Sequence, residues 1–154
     1  MKSFIEKNIS SLNDLIETCK DGQQGYTTAA KDAKDPELAR VFSQYAAQRE
    51  TYVNELQQRV RSFGGDPDKH GSVSGSLHRG WINLKAAVSS KEPHAVLAEC
   101  ERGEDAAVKN YREVLTSGDL DMETRAIVQR QAAGVQEAHD RIKQLRDSVA
   151  YAHK

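Results

Sequence analysis

Leu15-Ile-Glu-Thr-Cys19-Lys-Asp-Gly-Gln23 and Val96-Leu-Ala-Glu-Cys100-Glu-Arg-Gly-Glu104 follow one pattern. In each, two apolar residues lead to a cysteine, and a glycine then precedes a polar residue. Both copies lie in helix-forming sequence, and each is followed by a turn and a second long helical run. One of these runs carries Glu50-Thr-Tyr-Val53 and the other Gln136-Glu-Ala-His139. A helix–turn–helix unit written twice predicts an all-α chain of two antiparallel hairpins, a four-helix bundle with polar residues at matched inward positions near its waist.

Caps and period place the helices. Ser3 with Glu6 forms a capping box that opens a helix over residues 3–33, whose apolar stripe runs Ile5, Leu12, Leu15, Ile16, Cys19, Tyr26 and Ala30. Asp35-Pro36 ends that helix and starts the next, over 36–63. Aspartate suits an N-cap, and proline at the first helical position lacks only an N–H that would have been orphaned there. Gly64-Gly65 stops this second helix. Pro93 opens a third, over 93–115, and an aspartate in the turn Thr116–Asp121 caps a fourth, over 121–150. At 1.5 Å per residue such helices run roughly 35–45 Å.

The two short turns make antiparallel pairs, but the connection from Gly64 to Glu92 is much longer than a structureless loop of about 12–15 residues. Leu77, Trp81, Leu84 and Val88 give it an amphipathic piece, expected as a short helix over 76–88. The economical reading is a crossover along the bundle, with the third long helix starting at the end where the first one starts. A single long crossover between two hairpins is the ferritin-like connection. Trp81, the only tryptophan, is expected to plug the crossover onto the bundle. The whole chain, 1–154, reads as one domain.

Composition narrows the function. Twenty-two basic and 23 acidic residues are mixed along the chain, so no basic footprint marks a nucleic-acid binder. No apolar run reaches the roughly 18–20 residues that span a bilayer. Met1-Lys-Ser-Phe-Ile-Glu6 puts an acid where a signal peptide would continue its apolar stretch, so the expected location is the cytoplasm, away from membranes. Cys19 and Cys100 lie in apolar stripes and read as small buried hydrophobes rather than a disulfide pair. Serine–histidine–acid, phosphate-loop and Cys-x-x-Cys patterns are absent.

A helical wheel isolates the unusual polar residues. Gln23, Arg49, Glu104, Gln131 and His139 face the apolar stripes, while Glu50 and Gln136 lie on the flanks. Counted from the turns, Gln23, Arg49, Glu50, Glu104, Gln136 and His139 share one or two neighbouring layers, a polar core layer. Glu99 and Glu101 read as surface or flank positions, and Asp105 and Asp140 as part of a solvated face.

A carboxylate-bridged di-iron bundle takes a Glu from each of two helices and a Glu-x-x-His from each of the other two. Laid on this chain, those six places read Gln23, Glu50, Val53, Glu104, Gln136 and His139. Only Glu50, Glu104 and His139 keep ligating types. Gln supplies no charge, Val cannot ligate, and Arg49 adds a fixed cation beside Glu50. A metal-free layer is therefore expected, with Arg49 pairing with Glu104 by charge-assisted hydrogen bonds. The competing expectation is one iron or manganese ion on Glu50, Glu104 and His139.

Leu12-Asn-Asp-Leu-Ile-Glu-Thr-Cys-Lys-Asp-Gly-Gln-Gln-Gly-Tyr26, His78-Arg-Gly-Trp81, Leu97-Ala-Glu-Cys-Glu-Arg-Gly-Glu-Asp105 and Tyr111 resemble a bacterial ferritin-like four-helix-bundle family catalogued as a domain of unknown function. The resemblance covers roughly residues 8–147. It implies a ferritin-like fold in a soluble bacterial protein, with a role in stress among its implications and no established activity. Ferritins and rubrerythrins are more distantly similar in fold, and their oxidase chemistry depends on ligands only half retained here. The expectation is thus a non-enzymatic bundle, structural or protein-binding, with a degenerate metal site and no cofactor. Its partner would be a second copy or another protein, met through the outward helix faces. The alternative is a metal-binding protein or oxidase with a mononuclear site. A small-ligand carrier has only Cys19, Cys100 and His139 in its favour.

Overall fold

A computed structural model describes residues 3–68, 81–148 and 150–151. They form α1 (Phe4–Asp32), α2 (Pro36–Ser62), α3 (Leu84–Ser90), α4 (Pro93–Thr116) and α5 (Met122–Asp147), with no strand among the described residues. The caps follow from side-chain chemistry. Ser3 Oγ accepts from Glu6 N at 3.1 Å, Asp35 Oδ1 from Glu37 N at 2.9 Å, and Asp121 Oδ1 from Thr124 N at 3.2 Å. Each satisfies an N–H that the first helical turn leaves without a partner. Gly64 and Gly118, at φ 79° and 74°, make the left-handed turns past α2 and α4 that a side chain would strain.

Cross-helix contacts define the topology. Thr18 meets Asn110 and Tyr26 meets Glu104, so α1 and α4 run antiparallel. Arg59 meets Asp121 and Glu55 meets Arg130, so α2 and α5 also run antiparallel. Ile9 packs on Gly65, which puts the end of α2 beside the start of α1. A small apolar cavity of about 60 Å³ is lined by Ala33, Asp35, Lys91 and Pro93, so α4 begins beside the α1–α2 turn.

The crossover therefore spans the length of the molecule, as expected, but the third long helix starts where α1 ends and not where it starts. The reason is geometric. Because α2 has already returned the chain to the start of α1, any lengthwise crossover must arrive at the opposite end. The short helix is also displaced. It covers Leu84–Ser90 rather than 76–88, with Lys91 in the left-handed conformation closing it. Residues 76–80 of the expected helix, with His78, Arg79 and Gly80, lie outside the described residues. The last helix stops at Asp147, short of 150, where Ser148 takes an extended backbone and its hydroxyl donates to Leu145 O. Val149 lies outside the described residues.

Two apolar clusters fill the interior. One joins Leu12, Leu15, Ile16 and Cys19 to Leu56, Val60, Tyr111, Val128 and Val135. The other joins Tyr26, Leu38 and Phe42 to Leu97, Cys100, Ala138 and Ile142. Burying such side chains contributes about 1.5–3 kcal/mol each. Between the clusters, at the level of Gly22, Arg49 and Glu104, the interior is polar. No helix is long and apolar enough to cross a membrane among the described residues.

Candidate functional site

That polar level is the first candidate. Arg49 is the largest fully buried side chain, at 0% exposure, and Glu104 is equally sealed. Arg49 Nη2 donates to both carboxylate oxygens of Glu104 at 2.7 Å, and Arg49 Nε donates to Gln48 Oε1 at 3.1 Å. The Tyr26 hydroxyl donates to Glu104 Oε2, and its ring centroid lies 5.7 Å from the guanidinium carbon. Gly22 makes room, since a Cβ there would lie 2.9 Å from Arg49 Nη1. Burial works against the Arg49 cation, but the charge of Glu104 outweighs it and keeps the guanidinium ionised. Burial and the same carboxylate raise the Tyr26 pKa well above its usual value. The layer thus holds a buried ion pair.

One helical turn away runs a chain of hydrogen bonds. Cys19 Sγ lies 3.1 Å from the Tyr111 hydroxyl, which donates to Gln131 Oε1 at 2.7 Å, and Gln131 Nε2 donates to Glu55 Oε1 at 3.0 Å. Glu55 ends the chain at the surface against Arg130. Burial pushes the Cys19 thiol up to about 11 and raises Cys100 as well, so both remain protonated and unreactive at neutral pH. The described residues contain no disulfide at these two free cysteines.

Trp81 closes the layer from outside. Its indole lies between α1 and α4, where a Cβ on Gly25 would come within 2.3 Å of the ring and one on Gly103 within 2.1 Å. It meets the Tyr26 ring edge-on at a centroid distance of 5.1 Å. The crossover is thereby pinned over the Tyr26–Glu104 contact.

The other residues expected in the layer are placed differently. Gln23 is half-buried and donates to Glu50 Oε2 at 3.4 Å on an exposed face. Gln136 is exposed and donates to Asp140 Oδ1 at 3.0 Å. His139 is held on the α4–α5 seam, with Nε2 2.7 Å from Asp105 Oδ1 and Nδ1 3.1 Å from Asp140 Oδ1. Burial disfavours its charged form, but hydrogen bonds to Asp140 and Asp105 prevail and raise its pKa. Val53 is buried among apolar residues. Glu50, Glu104 and His139 thus each have separate partners and are not gathered into one ligand set. The group of three side chains able to share an ion among the described residues is Glu101, Asp105 and His139.

Residues 7–117 match the family described as a domain of unknown function, DUF2383. The chain belongs to that family. No curated protein matches it. The span matched by the DUF2383 family takes in most of α1 and all of α2 to α4, with Gly22, Tyr26, Arg49, Trp81, Gly103 and Glu104, so the sealed layer lies inside it. The family match ends before α5, which supplies Gln131 and His139.

Two parts of this arrangement escape a helical wheel. Tyr26 reads as one more apolar-stripe residue, because nothing in its spacing reveals where its hydroxyl points. Glu99 and Glu101, read as surface or flank, are buried at 6% and 9% exposure, since α4 is covered on more than one side. Glu99 still pairs with Arg102 at 3.0 Å and Glu101 with Arg146. The glycines at 22, 25 and 103 did offer a sign, because a glycine inside a helix costs about 1 kcal/mol and commonly marks a close approach.

Proposed function

We propose that the protein is a ferritin-like four-helix bundle of the bacterial cytoplasm with no catalysis of its own, serving as a structural or protein-interaction component. The observation that carries this reading is the buried Arg49–Glu104 pair. In a di-iron bundle this level holds two dications within four carboxylates. Here a guanidinium supplies positive charge to the fully sealed Glu104 carboxylate, and a further dication nearby would be repelled in a low-dielectric interior. Support for the interaction half comes from one end of the molecule. Phe4 and Ile5 are 51% exposed and Met122 is 90% exposed, and Asn8 bonds both Phe4 O and the backbone N of Asp121. These apolar side chains form a surface on which a second copy or another protein can rest.

The test is aerobic addition of two ferrous equivalents to metal-free protein, followed optically and by oxygen consumption. The reading expects no oxidation above the protein-free rate. Rapid, saturable oxidation abolished by Glu104→Ala would contradict it.

A further inference from the structure

We propose that Glu101, Asp105 and His139 bind one divalent transition-metal ion, zinc foremost, on the α4–α5 seam. The site is separate from the sealed layer, and the proposal does not rest on the function proposed above. One ligand atom from each residue can be chosen so that all three lie within 4.8 Å of one another. A tetrahedral shell with metal–ligand distances of about 2.0–2.2 Å places its ligand atoms roughly 3.4 Å apart, so a small contraction completes it. Glu101 and Asp105 are one helical turn apart on the same face of α4, and His139 reaches them from α5.

The second-sphere arrangement also suits a metal. A metal-bound imidazole usually has its other nitrogen held by a carboxylate, which fixes the ring and its tautomer. Asp140 Oδ1 takes that place at 3.1 Å from His139 Nδ1, and is itself held by Gln136 Nε2 at 3.0 Å. Nε2 is left facing Asp105, with Glu101 in the same group. Two carboxylates balance the charge of one dication, and an imidazole nitrogen selects zinc-like ions over magnesium or calcium. Arg146 now contacts Glu101, but it also holds Asp147 through Nε at 2.9 Å, so Glu101 can turn to an ion without stranding the guanidinium. Asp105 is 63% exposed at its side chain, which leaves an open approach and room for water as the fourth ligand.

The experiment is titration of zinc chloride into chelator-stripped, untagged full-length protein, by calorimetry and equilibrium dialysis. One ion per chain is expected. Asp105→Asn and His139→Ala should each weaken binding by at least about 10-fold, and Asp140→Asn by about 10-fold. Glu50→Ala should leave it unchanged. Asp105 is exposed, so its variant keeps the fold whether or not the His139 variant does. Absence of saturable binding, or binding equally tight in Asp105→Asn and His139→Ala, overturns the proposal.

Discussion

The protein has two clusters built from the same ionic chemistry in opposite surroundings. Around Glu104, a guanidinium and a phenol converge on one carboxylate with no access to water. Around His139, the partners Asp105 and Asp140 are exposed, and water competes for every contact. In the sealed cluster each charge depends on its partner, because an unpaired ion in the interior is costly. In the wet cluster, solvent replaces any partner that is removed. The first therefore fixes how α1, α2 and α4 meet, and the second is free to change partners.

The largest effect should come from breaking the sealed pair on one side. Glu104→Leu strands the Arg49 guanidinium and should cost roughly 3–5 kcal/mol, read from the chemical denaturation midpoint. An unchanged midpoint would show that the two regions do not differ as described.

Next comes the lid of the sealed region. Gly103→Ala drives a methyl into the Trp81 indole. Overpacking of this kind typically costs about 1–3 kcal/mol, partly offset by the better helix propensity of alanine, about 1 kcal/mol. The cleaner readout is Trp81 emission, which should shift to the red as the ring leaves its slot. An unshifted spectrum would mean that the slot between α1 and α4 is not where the ring rests.

Asp121 lies between the extremes. It caps α5 and accepts from Arg59 Nη2 at 2.8 Å. Asp121→Ala should cost about 1 kcal/mol in thermal or chemical unfolding. A loss as large as that of Glu104→Leu would show that this partly exposed pair behaves like the buried one.

The smallest effect belongs to the wet cluster, and its sign is set by pH. The His139 pKa is raised in the folded protein above 6.5, so its charged pairs stabilise the fold fully below about pH 6.5. That contribution is lost as pH rises through the folded pKa. The advantage of the wild type over His139→Gln should therefore stay below about 1 kcal/mol and shrink from pH 5.5 to 8.5. An advantage that grows with pH would reverse the assignment.

Particular residues show how much of this was legible in the sequence. Ser3, Asp35-Pro36 and Pro93 placed the long helices to within a residue or two at their starts, because capping is local chemistry. Arg49 and Glu104 were legible as inward charges, because a wheel needs only the helical period. Gln136 and His139 were not, since the wheel gives an angle but not the rotation at which α5 settles against α4. Glu101 read as a surface or flank position and Asp105 as part of a solvated face, and only packing of α5 against α4 brings them to His139. The sequence reading sets the start of α4 at the end where α1 starts, and the structure puts it at the other end, because α2 has already returned the chain to the start of α1.

The account turns on the Arg49–Glu104 pair being a mutually dependent unit in a sealed layer. A double-mutant cycle tests this directly, with chemical denaturation of wild type, Arg49→Met, Glu104→Leu and the combined variant. The account predicts a large loss in each single variant and a combined variant more stable than either, since an apolar pair leaves no stranded charge. Losses that simply add would contradict it.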